Sequence, residues 1–416
     1  MEKYDVIVAG GGLTGVAAAV AAARQGARVM IIEKANCLGG AATNCLVSPF
    51  VPFYTEVDGE RMKINRGIFE EIHNMLAERN AVKNLIFSEE QLKLVLNRLV
   101  TGEKIDLLFH SFVFEVERDG STVRSVTVAN KNGKMTIEAD YFIDATGDAD
   151  VTALAGCPFI LGRDEDNLCQ PMTLCFRVGN VDVPKFRSTF DKLNELYQKH
   201  LKEGRFINPR ENILVFSTMQ DNVLHFNTTR VVKRNPVDTL DVTAAEIEAR
   251  EQVFEVYDFL KRYADGFENS FLMMTAPEIG VRESRRIIGE YMLTFEDIKS
   301  LTPFEDSVAV CNYFVDVHSP DGTGTFFYHF PKGTYYTIPY RCLIPRGVDN
   351  LLVAGRCIST DHITQGSYRC MPIVCNIGEA AGTAIGLAVK SKKNTKNIDV
   401  KELQKVLISN NAFIGL

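Results

Sequence analysis

Gly10-Gly11-Gly12-Leu13-Thr14-Gly15 follows the apolar run Tyr4-Asp5-Val6-Ile7-Val8-Ala9 and precedes an alanine-rich stretch from Val16 to Gln25. Glu33 then closes a second apolar run, Arg28 to Ile32. Glycines at 10, 12 and 15 suit a tight turn, close backbone approach to a pyrophosphate, and close helix–strand packing. The helix they open offers unpaired N–H groups and a partial positive charge to phosphates. Glu33 stands where a carboxylate can accept hydrogen bonds from ribose hydroxyls. A second set of chemistry-bearing residues lies far down the chain. Arg282, Arg285 and Arg286 are bracketed by apolar residues, and guanidinium forks suit carboxylate or phosphate. If that stretch is helical, the three share one face at i, i+3, i+4. The competing reading is an ion-pair cluster with Glu278, Glu283 and Glu290. His318 and His329 are candidates for general acid or base, against the blander reading of structural histidines.

Positioning these residues requires strand, glycine turn, helix, strand and acid in that order, a complete βαβ unit rather than an isolated glycine motif. Ala19 and Ala23, four apart, keep the inner helix face thin. Leu38-Gly39-Gly40-Ala41-Ala42-Thr43 leaves backbone room beside the same turn. Arg66 to Asn80 reads as an amphipathic helix, and Ser88-Glu89-Glu90-Gln91 as a capping box opening a helix to Val100. Ile105 to Phe114 and Thr122 to Val128 alternate as strands, with turn signals at Asp119-Gly120 and Asn132-Gly133, giving a small β-meander. Strands at Met172–Val178, Ile213–Met219 and Val223–Thr229 mix with helices at Pro184–Leu201 and Thr243–Ala264. The last of these carries the capping box Thr243-x-x-Glu246. Without βαβ alternation, this second region reads as α+β. Ser307 to Val317 reads as one strand. Glycines and aromatics then alternate from Gly322 to Tyr336, which suits a loop over a flat ring.

With 416 residues, 46% of them hydrophobic and 24% charged, the chain is long enough for two domains with a large core. A net charge of -7 argues against a broad nucleic-acid surface. The first strand begins within four residues and no uncharged run is long enough to span a bilayer, so the expectation is a cytoplasmic protein without membrane contact. The ten cysteines form no Cys-x-x-Cys motif, and no metal site is expected.

Gly10 to Glu33 followed by Gly39-Gly40 resembles the FAD-binding half of the glutathione-reductase-type flavoproteins. Ala145-Thr146-Gly147-Asp148 and the stretch Leu351 to Gly382 extend the resemblance, over nearly the whole chain, to the bacterial FAD-dependent oxidoreductases. The resemblance implies an α/β fold: a Rossmann-like FAD-binding domain of glutathione-reductase type, with an inserted α+β substrate domain. The FAD domain would comprise residues 1–156 and 339–395, the substrate domain 157–338, and a helical tail 396–416. It also implies cofactor contacts from Gly10, Gly12, Leu13, Thr14, Gly15, Glu33, Lys34, Gly39, Gly40, Ala41, Thr43 and Val113. Further contacts are implied for Ala145, Thr146, Gly147, Asp148, Gly355, Arg356, Gly366, Ser367, Arg369, Met371, Pro372 and Ile373. The last three open a helix whose positive end would face the flavin, where reduction builds negative charge.

Disulfide reductases of this type carry a cysteine pair after Gly39-Gly40. Here Cys45 is alone and Ala42 replaces the first cysteine, so that chemistry is not expected. No histidine lies between Gly39 and Phe53, so covalent flavin attachment there is not expected either. The activity implied is hydride transfer between flavin and a small polar or anionic substrate, with His318, His329, Arg282 and Tyr336 handling protons and anchoring substrate. No second Gly-x-Gly-x-x-Gly follows a strand, so a dedicated nicotinamide domain is not expected, and the electron donor or acceptor is unspecified. The alternatives are a flavin-dependent monooxygenase, an FAD-containing RNA-modifying component, and a non-catalytic FAD-binding scaffold.

Overall fold

The structure is a computed structural model and describes residues 3–322 and 324–416. β1 (Tyr4–Ala9) leads through the glycine turn into α1 (Leu13–Arg24), which returns to β2 (Val29–Ile32). β1 and β2 pair in parallel, as the βαβ reading requires. The sheet continues on one side with Asp106–Leu108. On the other side come the C-terminal half of Gly133–Asp144 and then Leu351–Val353, all parallel. The long strand Gly133–Asp144 serves two layers. Its first half pairs antiparallel with Thr122–Asn130, which pairs with Phe112–Asp119, completing the expected meander. The expected strand Ile105–Phe114 is thus two: Asp106–Leu108 joins the parallel sheet, and Phe112 starts the meander.

The turn is backbone-limited. Gly10 has φ 98°, and a Cβ at Gly15 would lie 1.8 Å from the Gly10 carbonyl oxygen. In sequence, Gly378, Ala381, Gly382 and Gly386 predict one small face on the C-terminal helix that something must approach closely, and the structure shows what does. That helix, Met371–Ser391, crosses α1 so closely that a Cβ at Gly378 would lie 2.2 Å from Thr14 O, and one at Gly382 2.0 Å from Ala18 O. Alanines on α1 and glycines opposite them let the two helix backbones touch. The crossing fixes the start of Met371–Ser391 relative to the glycine turn. By length and composition this helix could cross a membrane, but it is buried in the core of the fold.

A second core forms around an antiparallel sheet of order Val215–Ser217, Leu224–Phe226, Phe176–Gly179, Phe271–Thr275. Helices Val183–Lys202 and Thr239–Tyr263 pack onto it through Phe186, Leu193 and Tyr197, and through Ala245, Ala249, Val253, Val256 and Leu260. These spacings of three and four place each set on one helix face. Residues 172–279 supply nearly all of this core. The segment 293–338, grouped by sequence with the second domain, sends its apolar side chains into the first core instead.

Two helix starts differ from expectation. Thr239–Tyr263 is capped by Asp238, whose carboxylate accepts from Leu240 N and Asp241 N. Thr243 lies inside the helix with its hydroxyl on Thr239 O, while Glu246 accepts from Ile279 N. Ser88 does cap its helix, but the Gln91 side chain is held by Arg79, so the box does not close. Ser307–Val317 is broken into Ser307–Cys311 and Val315–His318, which pair with Tyr336–Pro339 and Thr325–Tyr328 respectively.

Candidate functional site

The glycine turn, Gly39-Gly40 and Gly355 converge. Gly12 and Gly39 form an isolated bridge, a Cβ at Gly40 would lie 3.0 Å from Gly12 Cα, and one at Gly355 would lie 3.1 Å from Thr14 Oγ1. No side chain caps α1; Gly12 occupies the cap position and Leu13 and Thr14 are buried behind it. A buried helix start without a capping side chain leaves N–H groups for an anion. Glu33 is buried, with its two oxygens accepting from Gly11 N at 2.6 Å and Ala35 N at 2.8 Å. A carboxylate has about four acceptor positions, so roughly two remain for ribose hydroxyls. This cradle, acid and bare helix terminus fit an FAD adenosine diphosphate. Thr43 closes the Gly39 loop through its hydroxyl on Leu38 O, and Lys34 pairs with Glu278. Ala41 is exposed beside it and Val113 is buried in the meander.

Ala145–Asp148 is held from beneath. Asp144, fully buried, accepts from the backbone and hydroxyl of both Thr146 and Thr152. Asp148 accepts from Ser284 Oγ and Arg356 Nη2, each at 2.6 Å, and Arg356 stacks close to Gly147. Arg356 and Asp148, both assigned to the cofactor by sequence, therefore meet each other. Met371, Pro372 and Ile373 open their helix without a side-chain cap. Met371 lies seven residues before Gly378, where the helix crosses Thr14, roughly 10 Å along the axis.

The arginines are the main correction. Arg285–Ile287 is a β-strand paired with Phe159–Leu161, so Arg282, Arg285 and Arg286 do not share a helix face. Arg285 bonds Asp150 and the Asp148 carbonyl. Arg286, buried, meets Glu283, Gly162 O and Thr360 O, and Glu283 also meets His362. Glu278 and Glu290 pair instead with Lys34 and Lys396. Arg282 alone goes elsewhere: Nη1 donates to Pro171 O at 2.7 Å and Nη2 to Asn227 Oδ1 at 3.3 Å.

Around Arg282 the structure gathers residues that sequence spacing did not link. Arg369 donates to Gln170 Oε1 and Asp316 O, and Arg230 donates to Glu211 and His318 Nδ1. Burial and the charges of Arg369, Arg210 and Arg230 push the Arg282 guanidinium down to about 9. Arginine can only donate, so Nδ1 of His318 is an acceptor and Nε2 carries its proton, 3.4 Å from Asp316 Oδ2. Burial and Arg282 lower His318 to about 3, against the opposing pull of Asp316, so the ring is neutral. Burial opposes charge on Asp316, but His318, Arg369 and Arg282 outweigh it and hold the acid well below its usual range. Thr325 Oγ1 touches both His318 and Arg230 and forms part of the wall of a cleft of about 660 Å³, which Arg163 and His362 also line.

The remaining sequence candidates separate from this group. Tyr336 is buried, its hydroxyl on Ser367 and its acidity suppressed well below normal by burial. Ser367 in turn donates to Tyr313 O, and Gly366 packs against Val317 and Asp316. His329 is exposed and lies against Phe314 at 4.8 Å. Neither Tyr336 nor His329 is brought to Arg282 by a hydrogen bond. Sequence reading missed Arg210, Arg230, Gln170 and Asp316. Only Asp316-x-His318 carried a local signal, since alternate strand residues share a face.

The sequence profile of the FAD dependent oxidoreductases matches residues 5–407. The chain belongs to that family. It is therefore an FAD-dependent enzyme of the oxidoreductase class. Monooxygenase 1 of Arabidopsis thaliana is 26% identical over 159 residues, a match spanning 35% of this chain and 39% of the relative. Among solved structures, a geranylgeranyl bacteriochlorophyll reductase-like protein from Thermoplasma acidophilum aligns with TM-score 0.51 and 13% identity. That alignment covers 100% of this chain and 89% of the other. The p-nitrophenol 4-monooxygenase of Pseudomonas putida aligns with TM-score 0.48 and 13% identity over 99% and 87%. At these identities the structural likeness is one of fold.

Proposed function

We propose that this FAD-dependent oxidoreductase exchanges a hydride with a small anionic substrate seated at Arg282. On this reading FAD is held in the glutathione-reductase manner, with the diphosphate at the start of α1 and the adenosine ribose on Glu33. Substrate specificity is written in the second core, residues 172–279, together with the Val315–His318 strand. When bound, FAD supplies the two-electron redox centre. The chain's own residues do the rest. Arg282 binds and orients the substrate anion, and Arg369 braces the strand that carries Asp316. His318, neutral and protonated on Nε2, holds one oxygen of Asp316 and leaves Oδ1 to accept a hydrogen bond from a substrate hydroxyl or amine.

The observation that carries this reading is Arg282 itself: a guanidinium surrounded by other arginines, bonded only to a carbonyl and an amide. Arg282 is half-buried and its fork reaches no carboxylate among the described residues, Asp316 acting on it only through space, so a ligand carboxylate would complete its pairing. The test is anaerobic mixing of the oxidised enzyme with a panel of small hydroxy and amino acids and their neutral amides, following loss of flavin absorbance. Reduction by acids but not by their amides is expected. Equal reduction by the amides refutes an anion-binding role.

A second reading is a flavin-dependent monooxygenase, favoured by the partial match to the Arabidopsis relative. Oxygen uptake matched by a hydroxylated product would replace the first reading with this one.

A further inference from the structure

The charge around Arg282 does not balance with one anionic group. Arg210, Arg230, Arg282 and Arg369 supply four positive charges. Asp316 and Glu211 supply two negative ones, and His318 is neutral. The surplus is two, and part of it is deeply buried: Arg210 is 7% exposed and Arg230 1%, while Arg282 and Arg369 are half-buried. Arginine does not shed its proton in proteins, so the surplus cannot be relieved by titration. Elsewhere in the fold the comparable buried cations are neutralised, as Arg177 is by Glu89 and Arg286 by Glu283.

Arg210 shows where the missing charge belongs. Its backbone N–H is fixed by Asn208, and Nε reaches Asn212 Oδ1 at 3.3 Å. Nη1 is buried without a hydrogen-bond partner among the described residues. Asp316 Oδ1 is likewise buried and unpartnered. An orphaned donor on a nine-tenths-buried guanidinium calls for an acceptor, whereas Asp316 Oδ1 calls for a donor, so only Arg210 bears on a further anion. Arg282 has already been assigned one anion. Arg210 is a separate guanidinium, contributed by the loop before Val215–Ser217, and calls for another.

Building on the anionic-substrate reading above, we propose that the substrate is a small dianion, a dicarboxylate in chemical class, with one carboxylate at Arg282 and the second at Nη1 of Arg210. The dianion cancels the surplus of two, and Arg230 and Arg369 set the field without contacting the substrate directly, because their forks are occupied by Glu211, His318, Gln170 and the Asp316 carbonyl.

The test is calorimetric titration of the purified holoenzyme at fixed ionic strength. The dianionic probes are malonate, succinate, glutarate and inorganic phosphate; butyrate is the monoanion and succinamide the neutral control. At least one dicarboxylate should bind about tenfold or more tightly than butyrate, as one added charge-assisted contact implies, and succinamide should not bind. Arg210→Gln should bring that ratio to about one, lower butyrate affinity far less than dicarboxylate affinity, and keep or raise the melting temperature. Arg210→Lys serves as a second variant and should retain part of the preference.

If butyrate binds but no dianion exceeds it, the second subsite is overturned and the anionic reading stands. If no anion binds, both fall. Tight phosphate without any dicarboxylate preference overturns the dicarboxylate class. A lower melting temperature with an unaltered ratio shows Arg210 to be structural and overturns the proposal.

Discussion

Arg285, Arg286 and Arg356 each end on a carboxylate, whereas Arg282, three residues before Arg285, ends on a carbonyl and an amide. The first group ties the Asp148–Asp150 turn and the Glu283–His362 pair to the nucleotide sheet. Its charges are closed within the protein, and the fold has no use for further anions there. The second group, Arg210, Arg282 and Arg369, is braced by amides and carbonyls that hold a guanidinium in place without neutralising it. A run of arginines in sequence thus divides by partner type: one group ends on carboxylates and the other on neutral acceptors, and the proposed function reads the second as a position prepared for a ligand.

Breaking the scaffold group should have the largest effect. Arg286→Met leaves Glu283, fully buried, facing only His362 and the Gln170 amide. Removing one partner of such a pair costs about 3–5 kcal/mol. Urea unfolding should show a loss of that order, with poor soluble yield. A midpoint equal to the wild type would move Arg286 out of the scaffold group.

Glu379 is the mirror case, a buried acid with no ion pair among the described residues. It accepts from Ile68 N and lies against Gly67, and burial raises its pKa from 4.5 to about 7. Because the folded value is the higher one, ionisation favours the unfolded chain. The penalty is absent below about 4.5, grows as pH rises toward about 7, and is then constant. Its size is about 3 kcal/mol on that shift. Glu379→Gln keeps an acceptor for Ile68 N without the charge. It should therefore raise the melting temperature more at pH 8 than at pH 5. The same increment at both values would show that the acid is not the source.

Glu33 belongs to neither group: it is buried, bonded to two amides, and has acceptor capacity to spare. Glu33→Ala should weaken FAD retention by about 1.5–3 kcal/mol for each charge-assisted hydrogen bond to the ribose that it removes. FAD content after dilution and gel filtration reads this directly, and unchanged occupancy would remove the ribose role. Heat release without proteolysis should yield FAD and not FMN.

The parallel sheet and glycine turn were legible because their signals are local. Tyr4–Glu33 carries period, turn glycines and acid within one stretch, and Gly378 and Gly382 announced a close approach without naming α1 as the partner. The helical face considered for residues 282–286 rested on a three-four spacing of arginines, whereas a three-residue strand is set by its pairing with Phe159–Leu161. Arg210 and Arg230 lie 72 and 52 positions before Arg282, on two irregular segments of the second core, and no local pattern ties them together. Tyr336 drew notice as an aromatic among glycines, yet its hydroxyl is spent on Ser367 inside the core.

The finest distinction between the two arginine groups is made at Arg282 itself. Lysine keeps the charge but cannot span Pro171 O and Asn227 while presenting a planar fork to a carboxylate. If Arg282 were scaffold, Arg282→Lys would lower the melting temperature and leave KM for any surviving substrate as it was. As a ligand-binding residue, it should leave FAD content and melting temperature near wild type. KM for an anionic substrate should then rise about tenfold, roughly 1.4 kcal/mol, with a smaller change in kcat. Only the second pattern keeps Arg282 apart from Arg285 and Arg286; a destabilised variant with an unaltered response to anions would merge the two groups into one ion-pair network.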